Sequence, residues 1–202
     1  MDNSQLNWYA AKVFYNKVFL LEERFAAAGY TSYIAVAKVL LKGEGRSRAI
    51  RALARNATMF SGRYFQEGGE FYERKPLVSS LFFFQVAAED LPKAVKLLSG
   101  VGFIYKDAEG KDYAEIPEKQ MASFRLVTSS GEMGLTFFAD DDFTRYRQGN
   151  RVRVLQGPLK GAEGYIRRIK KDRRLLVSIQ GVVAVATAYI PPEMLEIVPE
   201  NA

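Results

Sequence analysis

Hydrophobic positions along this chain fall mostly in short β-type runs, broken by a few stretches in which apolar residues recur every three or four positions. Trp8–Phe14 is aromatic and β-favouring and predicts a first strand. Asn16 stands where a helix cap would, followed by Val18, Leu21, Phe25 and Ala28 at helical spacing, with Gly29 as the stop. Tyr30–Leu41 alternates and predicts a second strand. Lys42–Lys75 departs from the pattern. It opens on Lys42-Gly43-Glu44-Gly45 and contains Gly68-Gly69, and between them Ser47–Met59 has helical spacing, with Ile50 and Leu53 implying a packed face. Leu77–Val86 is a strong strand run centred on Leu81-Phe82-Phe83-Phe84. Asp90 and Pro92 mark the entry to a helix with Val95 and Leu98 on one face, ended by Gly100. Gly102–Tyr105 is a short strand. Ile116-Pro117 introduces a last helix with Met121, Phe124 and Val127 apolar.

The order β-α-β-β-α-β plus a final helix predicts an α+β domain of ferredoxin-like, split β-α-β type over residues 1–128, carrying a basic insert at 43–75. Residues 129–145 read as a linker, with the acidic run Asp140-Asp141-Asp142 and a Phe137-Phe138 pair that is odd in a free linker and is expected to dock on a domain. From 146 to 202 the texture changes to five short strands with tight turns, which predicts a small all-β, SH3-like barrel. No repeat or low-complexity tract is visible.

Composition narrows the chemistry. The 202 residues contain no cysteine and no histidine. Thiol chemistry, disulfides, Cys-based metal sites and the commonest general base are therefore all excluded. The carboxylate clusters Glu22-Glu23 and Asp140-Asp141-Asp142 have no accompanying base or ligand pattern, and Gly43-Glu44-Gly45 lacks the context of a phosphate loop. The expectation is a protein that is not an enzyme and needs no cofactor or metal. No secretory signal pattern and no apolar run of membrane-spanning length appear, so the expected setting is cytoplasmic, away from the membrane. The formal charge of +6 favours phosphate backbones or acidic protein surfaces.

Two stretches carry a family resemblance. Gly149–Gly164 has the form strand, Gly157-Pro158-Leu159-Lys160-Gly161 turn, Gly164, next strand, and resembles a KOW motif. Trp8-Tyr9-Ala10-Ala11-Lys12-Val13 before an amphipathic helix resembles the opening of the NusG N-terminal (NGN) domain. Lys75–Phe83, Ser99–Tyr105 and Ile116-Pro117-Glu118 resemble three later segments of that domain. The chain is thus similar to the NusG family over nearly its whole length. The long excursion after the second strand is most like the specialised antiterminator paralogues of the UpxY, LoaP and RfaH types. Val78, Ser79 and Leu81 depart from the family's usual Phe, Pro and Tyr. Gln180 stands where housekeeping members carry the aromatic that recruits Rho or a ribosomal protein.

The resemblance implies that Tyr33, Val78, Leu81 and Phe83 form an apolar surface for the clamp helices of RNA polymerase. It also implies that the end of the domain bearing Lys12, Tyr15, Asn16, Lys17 and Arg24 faces non-template DNA. Independently, Tyr15 is suited to stacking on an unpaired base, and lysine and arginine to phosphate. Arg48, Arg51 and Arg55 form a basic stripe in the insert, and over the stretch from Lys42 to Arg63 the further cations Lys42, Arg46 and Arg63 stand against one acid, Glu44. Ordinary core packing accounts equally well for the apolar set, and a solvated surface for the charged ones. The expected function is a monomeric transcription elongation or antitermination factor that binds RNA polymerase and contacts non-template DNA or nascent RNA, its barrel meeting a ribosomal or other protein. The alternative is a ribosome-associated RNA-binding module that uses the KOW barrel as its main surface.

Overall fold

The computed structural model describes residues 5–54, 62–139, 150–169 and 171–199. It is a mixed α+β protein. It divides into two compact units, Met1–Tyr105 and Lys106–Ala202.

In the first unit, β1 (Leu6–Val13), β2 (Thr31–Tyr33), β6 (Leu81–Ala87) and β7 (Gly102–Ile104) make a four-stranded sheet in the order β2-β6-β1-β7. Every neighbouring pair is antiparallel. Helix α1 (Val18–Ala27) links β1 to β2, and α3 (Leu91–Leu97) links β6 to β7. Side chains alternate across the pleat, so Tyr9, Ala11, Val13, Phe82, Phe84 and Val86 share a face. Val18, Leu21 and Phe25 of α1 and Ala94 and Leu98 beyond it close over that face in one buried cluster. Phe25 meets Phe82 edge-on at 5.1 Å and lies 4.8 Å from Phe84, and each such buried ring contributes about 2–3 kcal/mol by area. The opposite face, with Trp8, Ala10, Leu81, Phe83 and Ala87, is buried as well.

The sequence reading of Tyr30–Leu41 as one strand needs correction. The chain breaks at Ile34-Ala35, both buried, and continues as β3 (Val36–Leu40) in a separate sheet. That three-stranded sheet, in the order β3-β5-β4, is completed by β4 (Tyr64–Glu67) and β5 (Glu70–Pro76). The hairpin between them turns on Gly68 and Gly69, both at positive φ. Helix α2 (Gly43–Ala54) starts earlier than its periodicity indicates, and it packs through Ala49 and Ala52 onto Tyr64, Leu41 and Phe71. Ile50 and Leu53, expected to form the packed face, are exposed at 44% and 40%, because the positions just before them, Ala49 and Ala52, are the ones turned to the sheet. Arg74 ties this sheet to α1 through a two-armed ion pair with Glu22 at 2.7 and 2.8 Å.

In the second unit, β9 (Arg151–Val154), β10 (Glu163–Ile169), β11 (Asp172–Ile179), β12 (Val183–Tyr189) and β13 (Leu195–Ile197) follow the order expected of the five short strands. A sixth strand, β8 (Thr136–Ala139), comes from the stretch read as linker. It pairs with β12, setting Phe137 opposite Val185 and Phe138 opposite Ala184. Helix α4 (Glu118–Ser129), which the sequence reading grouped with the front half, falls within this unit. It lies on β10 and β11, burying Met121, Phe124 and Val127, while Ser123 Oγ accepts from the Glu163 amide at 3.1 Å.

Glu163 is the charge centre of this sheet. It accepts from Arg151 at 2.8 Å and from Arg153 at 2.6 Å. Burial pushes its carboxyl up, but the Arg153 hydrogen bond and the charges of Arg151, Arg153 and Lys119 outweigh burial and hold it below the ordinary range. A depressed carboxylate contributes stability that is present above its unfolded value and disappears as pH falls through its folded value. Amide protection of β9 and β10 should therefore decline as the solution is acidified below about pH 4.3. Glu163→Gln should flatten that decline, and an unchanged acid profile in hydrogen exchange would contradict the assignment.

Candidate nucleic-acid interface

β1 ends at Val13, whose amide donates to Ser80, and the Phe14 amide then donates to Val101. The Lys17 amide donates back to the Phe14 carbonyl at 3.3 Å, which closes a four-residue turn. Its two central residues, Tyr15 and Asn16, have φ of 56° and 54°. This is the pattern of a mirror-image hairpin turn, a conformation in which glycine and asparagine are at ease and tyrosine is not. Asn16 therefore serves the turn. It does not cap α1, whose cap position is Lys17 and carries no side-chain cap bond. A tyrosine held in the left-handed region is strained, and this one stands 84% exposed.

Around that ring the sheet gathers more aromatic surface. Phe14 lies 6.3 Å from Tyr15 and 5.7 Å from Phe103, and Phe103 lies 6.5 Å from Tyr105. Phe103 is 51% exposed and Phe14 41%. The β1–β7 register sets Lys12 directly opposite Phe103, and Lys17 Nζ sits 5.7 Å over the Tyr15 ring. The result is a run of open ring faces and edges flanked by two exposed or half-exposed ammonium groups. Rings of this kind stack on unpaired bases without regard to sequence, and ammonium groups meet the backbone phosphates. Phe14, Phe103 and Tyr105 were not among the expected site residues. Their apolar character reads as strand core, and only the pairing of an edge strand brings Phe103 and Tyr105 to the side of Lys12 and Phe14.

The remaining expected residues are dispersed. Arg24 is half-buried and donates to the Leu97 carbonyl at 3.1 Å, which ties the end of α3 to α1. Arg48 and Arg51 are exposed on α2 within the excursion, and Arg55 lies outside the described residues. Tyr33 and Val78 are half-buried. Tyr33 packs on Phe83 with ring centroids 6.4 Å apart. Leu81 and Phe83 are only 4% and 1% exposed, which corrects the expectation of an open apolar surface at these two positions.

In the second unit the turn Gly157-Pro158-Leu159-Lys160-Gly161 is closed by backbone hydrogen bonds. The Lys160 amide donates to Gly157, that of Gly161 to Val154, and that of Ala162 to Leu159. Leu159 is buried beneath it, while Pro158 and Lys160 face outward. Gly164 follows inside β10, backed directly against the Leu176 carbonyl.

Among the described residues, no group of three acidic side chains is placed to hold a metal ion, and no helix is long and apolar enough to cross a membrane. No family model and no curated protein matches the sequence. A solved structure described as "Domain interaction in Thermotoga maritima NusG" is similar at a TM-score of 0.41 and 14% identity, covering 96% of this chain and 98% of that one.

Proposed function

We propose that this chain is a non-catalytic transcription elongation factor of the NusG kind, with an NGN domain in its front half, a KOW domain at its end, and an antiterminator's role in the cytoplasm. The observation that carries the reading is the strained turn that presents Tyr15 beside Phe14 and Phe103, with Lys12 and Lys17 at hand. It is suited to one or two unpaired bases and their phosphates, which is the form non-template DNA takes in a transcription bubble. The sheet order β2-β6-β1-β7, with β6 antiparallel between β1 and β2, supports a split β-α-β front domain. The glycine-framed turn at 157–161 supports a KOW barrel.

In this reading polymerase is engaged through the face bearing Tyr33, Val78, Leu81 and Phe83, and Leu81 and Phe83 must be uncovered before they can take part. Binding then favours the processive state of the polymerase, because the factor has a higher affinity for that state. The exposed cations Arg168, Lys171 and Arg173 at the β10–β11 turn favour the second reading, in which the barrel grips ribosomal RNA.

Photocrosslinking distinguishes the two. With a photoreactive residue at position 15 or position 33 of the full chain, a stalled elongation complex should yield an adduct to the non-template strand from the first and to polymerase from the second. Adducts to ribosomal RNA from a cell extract, with none to polymerase or DNA, would transfer the case to the alternative.

A further inference from the structure

The second unit contains a groove of about 420 Å³ on the side of the Gly157–Gly161 turn. Its walls come from the chain just ahead of β8, the turn after β9, the end of β12 and the short helix ahead of β13. Pro158, Leu159, Tyr189, Pro191 and Met194 make the lining largely apolar. Among the described residues, Glu132 is the one formally charged residue in the wall.

Glu132 is unusually placed. Its Oε2 is buried and has no hydrogen-bond partner. Burial pushes its carboxyl above the ordinary value, against the pull of a hydrogen bond from the Ala188 backbone amide. A buried acceptor left unpaired is unfavourable, and native structures keep few of them unless something else completes them. Apolar surface continues past the rim, with Met133 90% exposed, Tyr189 54% and Leu155 39%. Exposed apolar side chains around a single carboxyl match the mixed apolar and polar make-up of a protein contact.

We propose that this groove is a peptide-binding site that holds a Lys or Arg side chain against Glu132 and a neighbouring aliphatic side chain among Leu159, Tyr189 and Met194, both presented by a short segment of a partner protein. Charge selects this occupant. A carboxylate in an apolar wall repels phosphate, so the groove is closed to nucleic acid. A guanidinium or ammonium group supplies the donor that Oε2 lacks, and such a charge-assisted bond is about twice as strong as a neutral one. The proposal is independent of what the aromatic patch of the first unit binds, and it places a basic, aliphatic protein segment next to the KOW turn.

The test is an amide-shift titration of the isotope-labelled full chain with three synthetic hexapeptides, Ser-Val-Leu-Xaa-Val-Ser, in which Xaa is arginine, its neutral analogue citrulline, or glutamate. The arginine peptide should shift the amides of Glu132, Leu159, Tyr189 and Ile190 and bind at least tenfold more tightly than the citrulline peptide. Glu132→Gln, which is isosteric, should erase that preference. Tyr189→Ser, at an exposed position, should weaken both peptides and leave the preference in place. Equal binding of the arginine and citrulline peptides would overturn the proposal, as would shifts at the same amides caused by a single-stranded oligonucleotide or by raising the protein concentration alone.

Discussion

Replacing Tyr15 and Phe103 together by alanine is expected to weaken the binding of a short oligo(dT) strand to the full chain by about 30-fold or more, because each base–aromatic stack lost amounts to about 1–3 kcal/mol. Both rings are more than half exposed, so their removal leaves the core untouched and the loss is one of recognition, not of folding. Alanine at position 15 carries the same left-handed strain as tyrosine, so that replacement should not lower the melting temperature. Lys12→Ala and Lys17→Ala act differently. They should reduce affinity less, and each should lower the slope of log affinity against log salt by close to one phosphate contact, about 0.7 for a single strand. The separation of a salt-insensitive aromatic effect from a salt-sensitive lysine effect is what a stacking site predicts and a diffuse basic surface does not. If the Tyr15→Ala, Phe103→Ala chain binds oligo(dT) as the unaltered chain does in fluorescence anisotropy, the interface lies elsewhere.

Much of this organisation can be read from local pattern. The run Leu81–Phe84 is apolar on both faces of a strand, and both of its faces are buried, one of them by Phe25 and its neighbours. The glycines at 157, 161 and 181 announce turns and are all at positive φ. Lys12, Tyr15, Asn16 and Lys17 lie within six positions of one another, so their grouping needs no knowledge of the fold. What escaped the sequence depends on non-local pairing. Nothing near Phe103 marks it as a neighbour of Lys12, because that relation is made by the antiparallel register of β1 and β7. The double phenylalanine of β8 was conspicuous, yet its partner strand β12 lies far along the chain. The break at Ile34-Ala35 is similar. Alternation continues smoothly through it, and only the burial of both residues shows that the strand changes sheets there. Asn16 shows the opposite failure, where a residue suited to two local roles, helix cap and left-handed turn, took the one that closure of the Phe14–Lys17 turn requires.

Gly164→Ala is expected to be the most destabilising single methyl in the second unit, at about 3 kcal/mol or more, since overpacking against rigid backbone exceeds the usual range for core side chains. The reason is positional. A Cβ built on Gly164 falls inside the contact radius of the Leu176 carbonyl oxygen and lies 3.0 Å from the carbonyl carbon and 3.1 Å from Leu175 Cδ1. Leu176 belongs to β11, whose neighbours on both sides are already paired, so it has nowhere to retreat. Leu175 and Leu176 are fully buried, which closes the other route of relaxation. Gly157→Ala is the informative contrast. That glycine has φ of 79° but open space around its would-be Cβ, so alanine there meets strain without a clash and should lose only about 1 kcal/mol. Native-state hydrogen exchange of the β10 and β11 amides in the full chain reads both effects. Protection that drops sharply for Gly164→Ala and slightly for Gly157→Ala identifies backbone contact, not turn conformation, as the reason the strand after the turn carries glycine at its second position. Equal losses at the two positions would show that conformational freedom alone explains both residues, and the tight apposition of β10 and β11 would lose its role in holding the sheet together.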